Sequence, residues 1–587
     1  MTENNQTDPA VQTERVFENN KRIEFTEQFA PILPEYTLEH VWGTTYSVSL
    51  SALLMVLFAM EGRGKVPDLP EGKMVNKAQQ LEIMRRNLPK LTVLFQQGMI
   101  HQDANLSPEV LEMLMTALQP QIRKEGSFHP MVWLWAFKHN KEENDYVFRL
   151  LVTSRNLTQD TDFDAAVVFD SRKEKTPDKH HQKLFAIFGS SLSQDWKDRL
   201  NNVTFSQGMY EEIKDESCIH TVISPFLDIT RIKKLTGLNY LFSTREALDP
   251  LANDLPSGIQ CFVLRDLTEP NREIENEGKL RDVIGPSQEA ETAEVQHFNL
   301  HAKLYFSKSY LFLGSRNCTS RGWYHNVEFM VRLKGQKCDT ILNSLVYAPD
   351  SKIPQIRSSR NRTQALFEPY TPQFREAKKN DADDKRSALT EFLRTVECQV
   401  CYGDGTINLA LPNPPENMSL KVVPFVLQNY ENSWKPWQKD VCKLSWNADK
   451  NQRSPLFCVR REDLPGFTAI LIAKEKNPVN LEDYVDRVKA TFTADERMEY
   501  LCSLDEVPLD DIELVSESDG KKSNSGTSWS GRDHRYLERL VQNIVAHPES
   551  ATRICNELVK MKEDRKYPGL DELITFFGEL RKEEHPL

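Results

Sequence analysis

Residues 298–333 read FNLHAKLYFSKSYLFLGSRNCTSRGWYHNVEFMVRL. They bring a histidine, a lysine, a serine, an asparagine and a glutamate to the ends of short apolar runs. In HAKLYF, His301 and Lys303 stand two apart, a spacing that puts both side chains on one face of an extended strand, so an imidazole and an ammonium share a site. SYLFLGSRN is a second apolar strand that breaks at Gly314 and delivers Ser315 and Asn317, again two apart. VEFMVRL is a third, with Glu328 at its mouth.

The same order occurs earlier in the chain. LLVTSRNLTQDTDFDAAVVFD, from Leu150, matches LFLGSRNCTSRGWYHNVEFMV: an apolar strand, then Ser154-Arg155-Asn156-Leu157-Thr158 against Ser315-Arg316-Asn317-Cys318-Thr319, then an acidic residue heading another apolar strand, Asp164 against Glu328. FHPMVWLWAF supplies His129 upstream of the first copy. Each copy runs histidine strand, S-R-N-x-T strand, acidic strand. One S-R-N-x-T is a common turn; two in register are an internal repeat.

These motifs resemble the phospholipase D superfamily, whose half-site is H-x-K followed by a Gly/Ser-x-Asn strand and an acidic residue. The second copy matches in full, with His301, Lys303, Gly314, Ser315, Asn317 and Glu328. The first has Met131 where the lysine would stand, and neither copy has the aspartate that follows the lysine in the lipases. That departure is more similar to the nuclease and tyrosyl-DNA phosphodiesterase branches. The resemblance covers residues 41–335 and implies an α/β fold of two halves in a pseudo-twofold pair, with the site on the seam.

It also implies metal-independent, cofactor-free phosphodiester hydrolysis. One histidine attacks phosphorus to form a phosphohistidine, and the other protonates the leaving oxygen and then activates water. Either His129 or His301 fits the nucleophile. Lys303, Asn317 and Asn156 would hold the non-bridging oxygens, with Ser315 and Ser154 as lesser donors. Glu328 and Asp164 would each hydrogen-bond an imidazole and fix its tautomer. The substrate implied is nucleic acid, DNA rather than RNA, as for a nuclease or end-processing enzyme, for example the effector of a bacterial defence or restriction system. A second reading is a phosphate-binding scaffold for an ATPase or helicase partner, its first half-site having lost the lysine.

The rest of the chain bounds these readings. A length of 587 residues allows three or four domains. A net charge of -12 means that any hold on a polyanion is local. Ten cysteines without framework spacing suit a reduced, cytoplasmic protein. Cys398-x-x-Cys401, with Cys442 and Cys458, lacks a second C-x-x-C, so no zinc ribbon is expected. No membrane association is expected either, since TTYSVSLSALLMVLFAM, residues 44–60, is too short and too interrupted to span and reads as a buried strand and then a helix ending at Glu61-Gly62.

The expected layout is a loose arm to residue 35, a first half over 36–210, a second over 211–345 and a linker over 346–394. A β-rich domain over 395–515, a flexible linker over 516–532 and a helical tail over 533–587 complete it. In the first half, 107–124 is expected to be helical after a Ser107 cap. His180 and His181 are read as polar loop.

Overall fold

In a computed structural model, residues 23–65, 73–101, 108–158, 162–173, 181–205, 213–265, 299–334, 366–372, 381–403, 405–448, 452–476, 478–504, 514–516, 533–547, 550–563 and 573–577 are described. The linkers expected over 346–365, 373–380 and 517–532, the Ser107 cap and His180 lie outside them.

The chain is α/β, and two sheets organise it. The first is built from β1 (Tyr36–Thr45), β2 (Leu91–Gln96), β3 (Leu118–Gln121), β4 (Val132–His139), β5 (Tyr146–Thr153) and β6 (Ala166–Asp170), in the order β6-β5-β4-β1-β2-β3. The second contains β7 (Thr221–Ile223), β8 (Tyr240–Ser243), β9 (Gln260–Leu264), β10 (Leu304–Phe306), β11 (Tyr310–Gly314), β12 (Met330–Lys334) and β13 (Phe367–Pro369), in the order β12-β11-β10-β7-β8-β9-β13. Leaving β13 aside, the two orders are the same. So are the directions: β1, β2 and β3 are parallel, as are β7, β8 and β9, and the remaining neighbours are antiparallel.

Strand periodicity decides what each sheet face covers. Along β4, Trp133, Trp135 and Phe137 enter a core shared with the buried helix Leu50–Glu61, whereas Val132, Leu134 and Ala136 enter a second core. That second core also holds Leu304 and Phe306 of β10, Leu311 and Leu313 of β11, and Phe242 and Phe262. The two sheets therefore meet face to face. The far side of the second sheet, with Val222, Tyr305, Phe312 and Met330, makes a third core.

The helix Leu50–Glu61 is the one expected from the sequence. Ser49 Oγ caps it by accepting from Ala52 N at 3.1 Å, and ten of its twelve residues are buried. Apolar on all sides, it can only be a core helix. Among the described residues, no helix is long and apolar enough to cross a membrane.

Several boundaries differ from the sequence reading. The helix after residue 107 ends at Met115, and LQPQ becomes strand β3, parallel to β2. Residues 23–35 are not loose, because Phe25 and Phe29 pack edge-on against Trp133 and Trp135. His181 opens the helix His181–Phe188 and is fully buried against Phe185 and Phe205. Within the expected linker, 367–369 form β13 and Asp381–Leu393 is a helix that buries Leu389 and Leu393.

The β-rich region is two four-stranded sheets that end at Glu475. Leu481–Ala490 and Ala494–Cys502 are helices, started by Asn480 accepting from Asp483 N and by a Thr493–Glu496 capping box. They pack on the helices of the first half and on Asp533–Ala546 of the tail. Cys398 and Cys458 are buried in the sandwich while Cys442 is exposed.

The equivalence of β4 and β10 gives Met131 the place that Lys303 has in the second sheet, and Met131 is fully buried. Met131→Lys would put a second ammonium into the interior beside a site that already holds one. The expected loss is roughly 2–4 kcal/mol in thermal or urea unfolding, against less than about 1 kcal/mol for Met131→Leu.

Candidate active site

The site lies where loops leaving the two sheets are exchanged. His301 and Lys303 are not within a strand but in the three residues between Asn299–Leu300 and β10, and His129 likewise precedes β4. Asn299–Leu300 pairs in parallel with Asp162–Phe163, and Phe128 bridges Val327 in the same sense. In consequence His301 N donates to Phe163 O at 3.0 Å and His129 N donates to Val327 O at 3.0 Å. Each histidine is thus tied by its backbone to the residue just before the acidic residue of the other sheet's loop.

The side chains repeat the exchange. His129 Nδ1 lies 3.0 Å from Glu328 Oε2, and His301 Nδ1 lies 3.0 Å from Asp164 Oδ1. With Nδ1 held by a carboxylate, Nε2 of each ring is the nitrogen left for other chemistry. Ser154 Oγ donates to Asp164 at 2.8 Å, and Ser315 Oγ donates to Glu328. The two serine hydroxyls, expected as phosphate donors, here donate to the carboxylates.

Lys303 is fully buried. Its Nζ donates to Ser154 O at 3.3 Å and to His301 O, so it reaches across to the first sheet's loop without a carboxylate in direct contact. Burial pushes its pKa down to about 7, against the opposing pull of Asp164, Glu328 and Asp162. His301 is also held below its ordinary value, by burial first and then by Lys303 and His129, with Asp164 opposing. Burial works against ionised Asp164, but the hydrogen bond and charge of His301, with Lys303 and Ser154, keep its pKa low.

The two asparagines are held differently. Asn156 Oδ1 accepts from Tyr46 N at 3.3 Å and Ser47 N at 3.4 Å, which leaves its amide nitrogen for another acceptor. Thr45 Oγ1 donates to Ser47 O and accepts from Leu157 N. Ser224 does the same with Phe226 O and Cys318 N. Pro225 then falls at the position of Tyr46 and offers no N–H. Asn317 Oδ1 is buried without a hydrogen-bond partner.

Four residues here have no motif of their own. Tyr46 packs its ring on His129 at 5.1 Å between centroids. Asn326 Nδ2 donates to Glu328 Oε1 at 3.0 Å, and its Oδ1 accepts from Ser127 N at 2.9 Å. Thr45 and Ser224 are the other two, and aligning TTYS with ISPF as part of the repeat would have found them. Among the described residues, no group of three or more His, Cys, Asp or Glu could hold a metal ion.

No protein-family profile matches the chain, and no curated protein does. Among solved structures it is similar to a mutant of the yeast tyrosyl-DNA phosphodiesterase, at 10% identity and a TM-score of 0.30, over 53% of this chain and 84% of that one.

An anion held by Lys303 would bind in a pH-dependent way. The free protein loses the Lys303 charge as pH rises through about 7, so an anion that needs the ammonium binds with proton uptake above that pH. The affinity for a non-hydrolysable phosphodiester, measured by calorimetry, is expected to fall by up to about tenfold per pH unit between pH 7.5 and 9. Lys303→Met should flatten the profile.

Proposed function

We propose that the protein is a phosphodiesterase acting on nucleic acid, DNA in preference to RNA, whose two sheets are phospholipase D-like halves in a pseudo-twofold pair with one site between them. The observation that carries this reading is the crossed pairing of His129 with Glu328 and His301 with Asp164 beside the buried Lys303. A phosphodiester resists attack because its anionic oxygens shield phosphorus, so a catalyst needs positive charge on those oxygens, a nucleophile and an acid. The site contains candidates for each.

His301 is the better nucleophile because burial and Lys303 favour its neutral ring. Its Nε2 attacks phosphorus, and the N–P bond forms as the P–O bond to the leaving group breaks. The leaving oxygen takes a proton from Nε2 of His129, whose imidazolium Glu328 stabilises. His129 then takes a proton from water, the hydroxide attacks phosphorus, and the N–P bond breaks to restore His301. Lys303 offsets the charge on the non-bridging oxygens, and the amide nitrogens of Asn156 and Asn317 donate hydrogen bonds to them throughout. Asp164 and Glu328 hold Nδ1–H of the two rings, so that each Nε2 faces the phosphorus.

One observation favours a second reading. Met131 is buried where the first half would carry its lysine, as in a chain that retains phosphate binding and serves as a scaffold for an ATPase or helicase. Turnover of DNA oligonucleotides separates the two. The enzyme reading expects cleavage that persists in EDTA, no turnover in His301→Ala, and a loss of about 10² to 10³ in rate for Lys303→Ala, the size expected for one preorganised charge. Binding without cleavage by the wild-type protein would support the scaffold. Full activity in His301→Ala would remove the phosphodiesterase reading.

A further inference from the structure

Next to His129 a cleft of about 520 Å³ opens between the two loops that carry the crossed pairs. Its basic lining is Lys124, Arg321, His325 and Arg394, and its acidic lining is Glu125 and Glu391. Gly126 and His325, also on its wall, stand three residues before His129 and Glu328. Gly126 has φ +66°, and a Cβ there would lie 1.9 Å from His325 O, so the two loops touch at this point. Tyr46, whose ring lies on His129, feels the charges of Arg394, Arg321 and Glu391. The cleft thus lies on the His129 side of the site.

Arg394 follows the helix Asp381–Leu393, outside both sheets, and is only 4% exposed. Its Nη1 donates to Gly126 O and Ser127 Oγ, its Nη2 to Glu391, and its Nε is buried with no acceptor. A buried guanidinium with an unused donor is costly unless an acceptor arrives from outside. Arg321 Nη2 lies 3.2 Å from both carboxylate oxygens of Glu391. One carboxylate thus bridges two guanidiniums, the arrangement in which arginines also hold a phosphate. The Glu391 side chain is 54% exposed, so leaving its partners for water costs little.

We propose that Arg321, Arg394 and Lys124 form a second anion subsite, which takes a phosphodiester of the bound strand other than the one between the histidines, and that Glu391 occupies it in the free protein. The inference rests on the nucleic-acid reading above. It gives a chain of net charge -12 the local positive surface that a polyanion needs. Displacing Glu391 by phosphate exchanges one anion for another between the same two guanidiniums.

The test is the affinity of the full-length protein for a fluorescently labelled single-stranded DNA 12-mer, by anisotropy over a salt series. Arg321→Ala should bind about tenfold more weakly at low salt and lower the salt slope by about one. Glu391→Gln should bind several-fold more tightly. Lys308→Ala, in the Ser307–Ser309 turn at the opposite end of β10 and β11, should match wild type and so control for a generic charge effect. An unchanged affinity and slope in Arg321→Ala would overturn the subsite, as would a Glu391→Gln protein that binds as weakly as Arg321→Ala. Weakened binding by Arg321→Ala with no wild-type cleavage would uphold the subsite and sink the hydrolase. Cleavage with an unaltered Arg321→Ala affinity would do the reverse.

Discussion

The interaction on which the structure turns is the exchange of loops between the two sheets. His129 N to Val327 O and His301 N to Phe163 O are equivalent bonds, each 3.0 Å, and each sets the ring of one loop against the carboxylate of the other. Neither half holds its own histidine. The site therefore exists only while the sheets stay packed through the core of β4, β5, β10 and β11 residues, which makes packing and the geometry of the site one problem. The same exchange buries Lys303, whose acceptors are a carbonyl from each loop. An ammonium in that position is poorly satisfied until an anion reaches it.

The two halves share this frame and differ in how they fill it. The second supplies the lysine, and the first has Met131 in its place. The first ties Asn156 to the backbone of Tyr46 and Ser47, where the second has Pro225 and leaves Asn317 Oδ1 without a partner. The buried lysine stands on the His301 side, while Arg321 and Arg394 line the neighbouring cleft near Tyr46, whose ring packs on His129.

Much of this was legible in the sequence because the chain states it twice. His129, unremarkable on an aromatic strand, is singled out only by its place ahead of S-R-N-x-T, and the alternation of β4 and β10 follows from apolar runs with period two. The crossing of the pairs was not legible, since spacing along the chain says nothing about which half's acid meets which histidine. The hydrogen bonds of Ser154 and Ser315 to Asp164 and Glu328 were not legible for a related reason: the spacing of a hydroxyl two residues before an asparagine does not reveal the carboxylate beside it. The helices at 481–502 were missed although N-x-x-D at Asn480 and T-x-x-E at Thr493 announce them. Arg394 was invisible because it comes from beyond the repeat and carries no motif.

The central claim, that the crossed histidines do covalent chemistry on phosphorus, is tested most directly by trapping the adduct. The protein is mixed with a phosphodiester substrate, quenched in alkali, which preserves phosphohistidine, and mapped by mass spectrometry. The account predicts on His301 a phosphoryl group that still carries the retained arm of the substrate, is lost on acid treatment and is absent from His301→Ala. A protein that turns over substrate with no phosphoryl group on either His301 or His129 would contradict it.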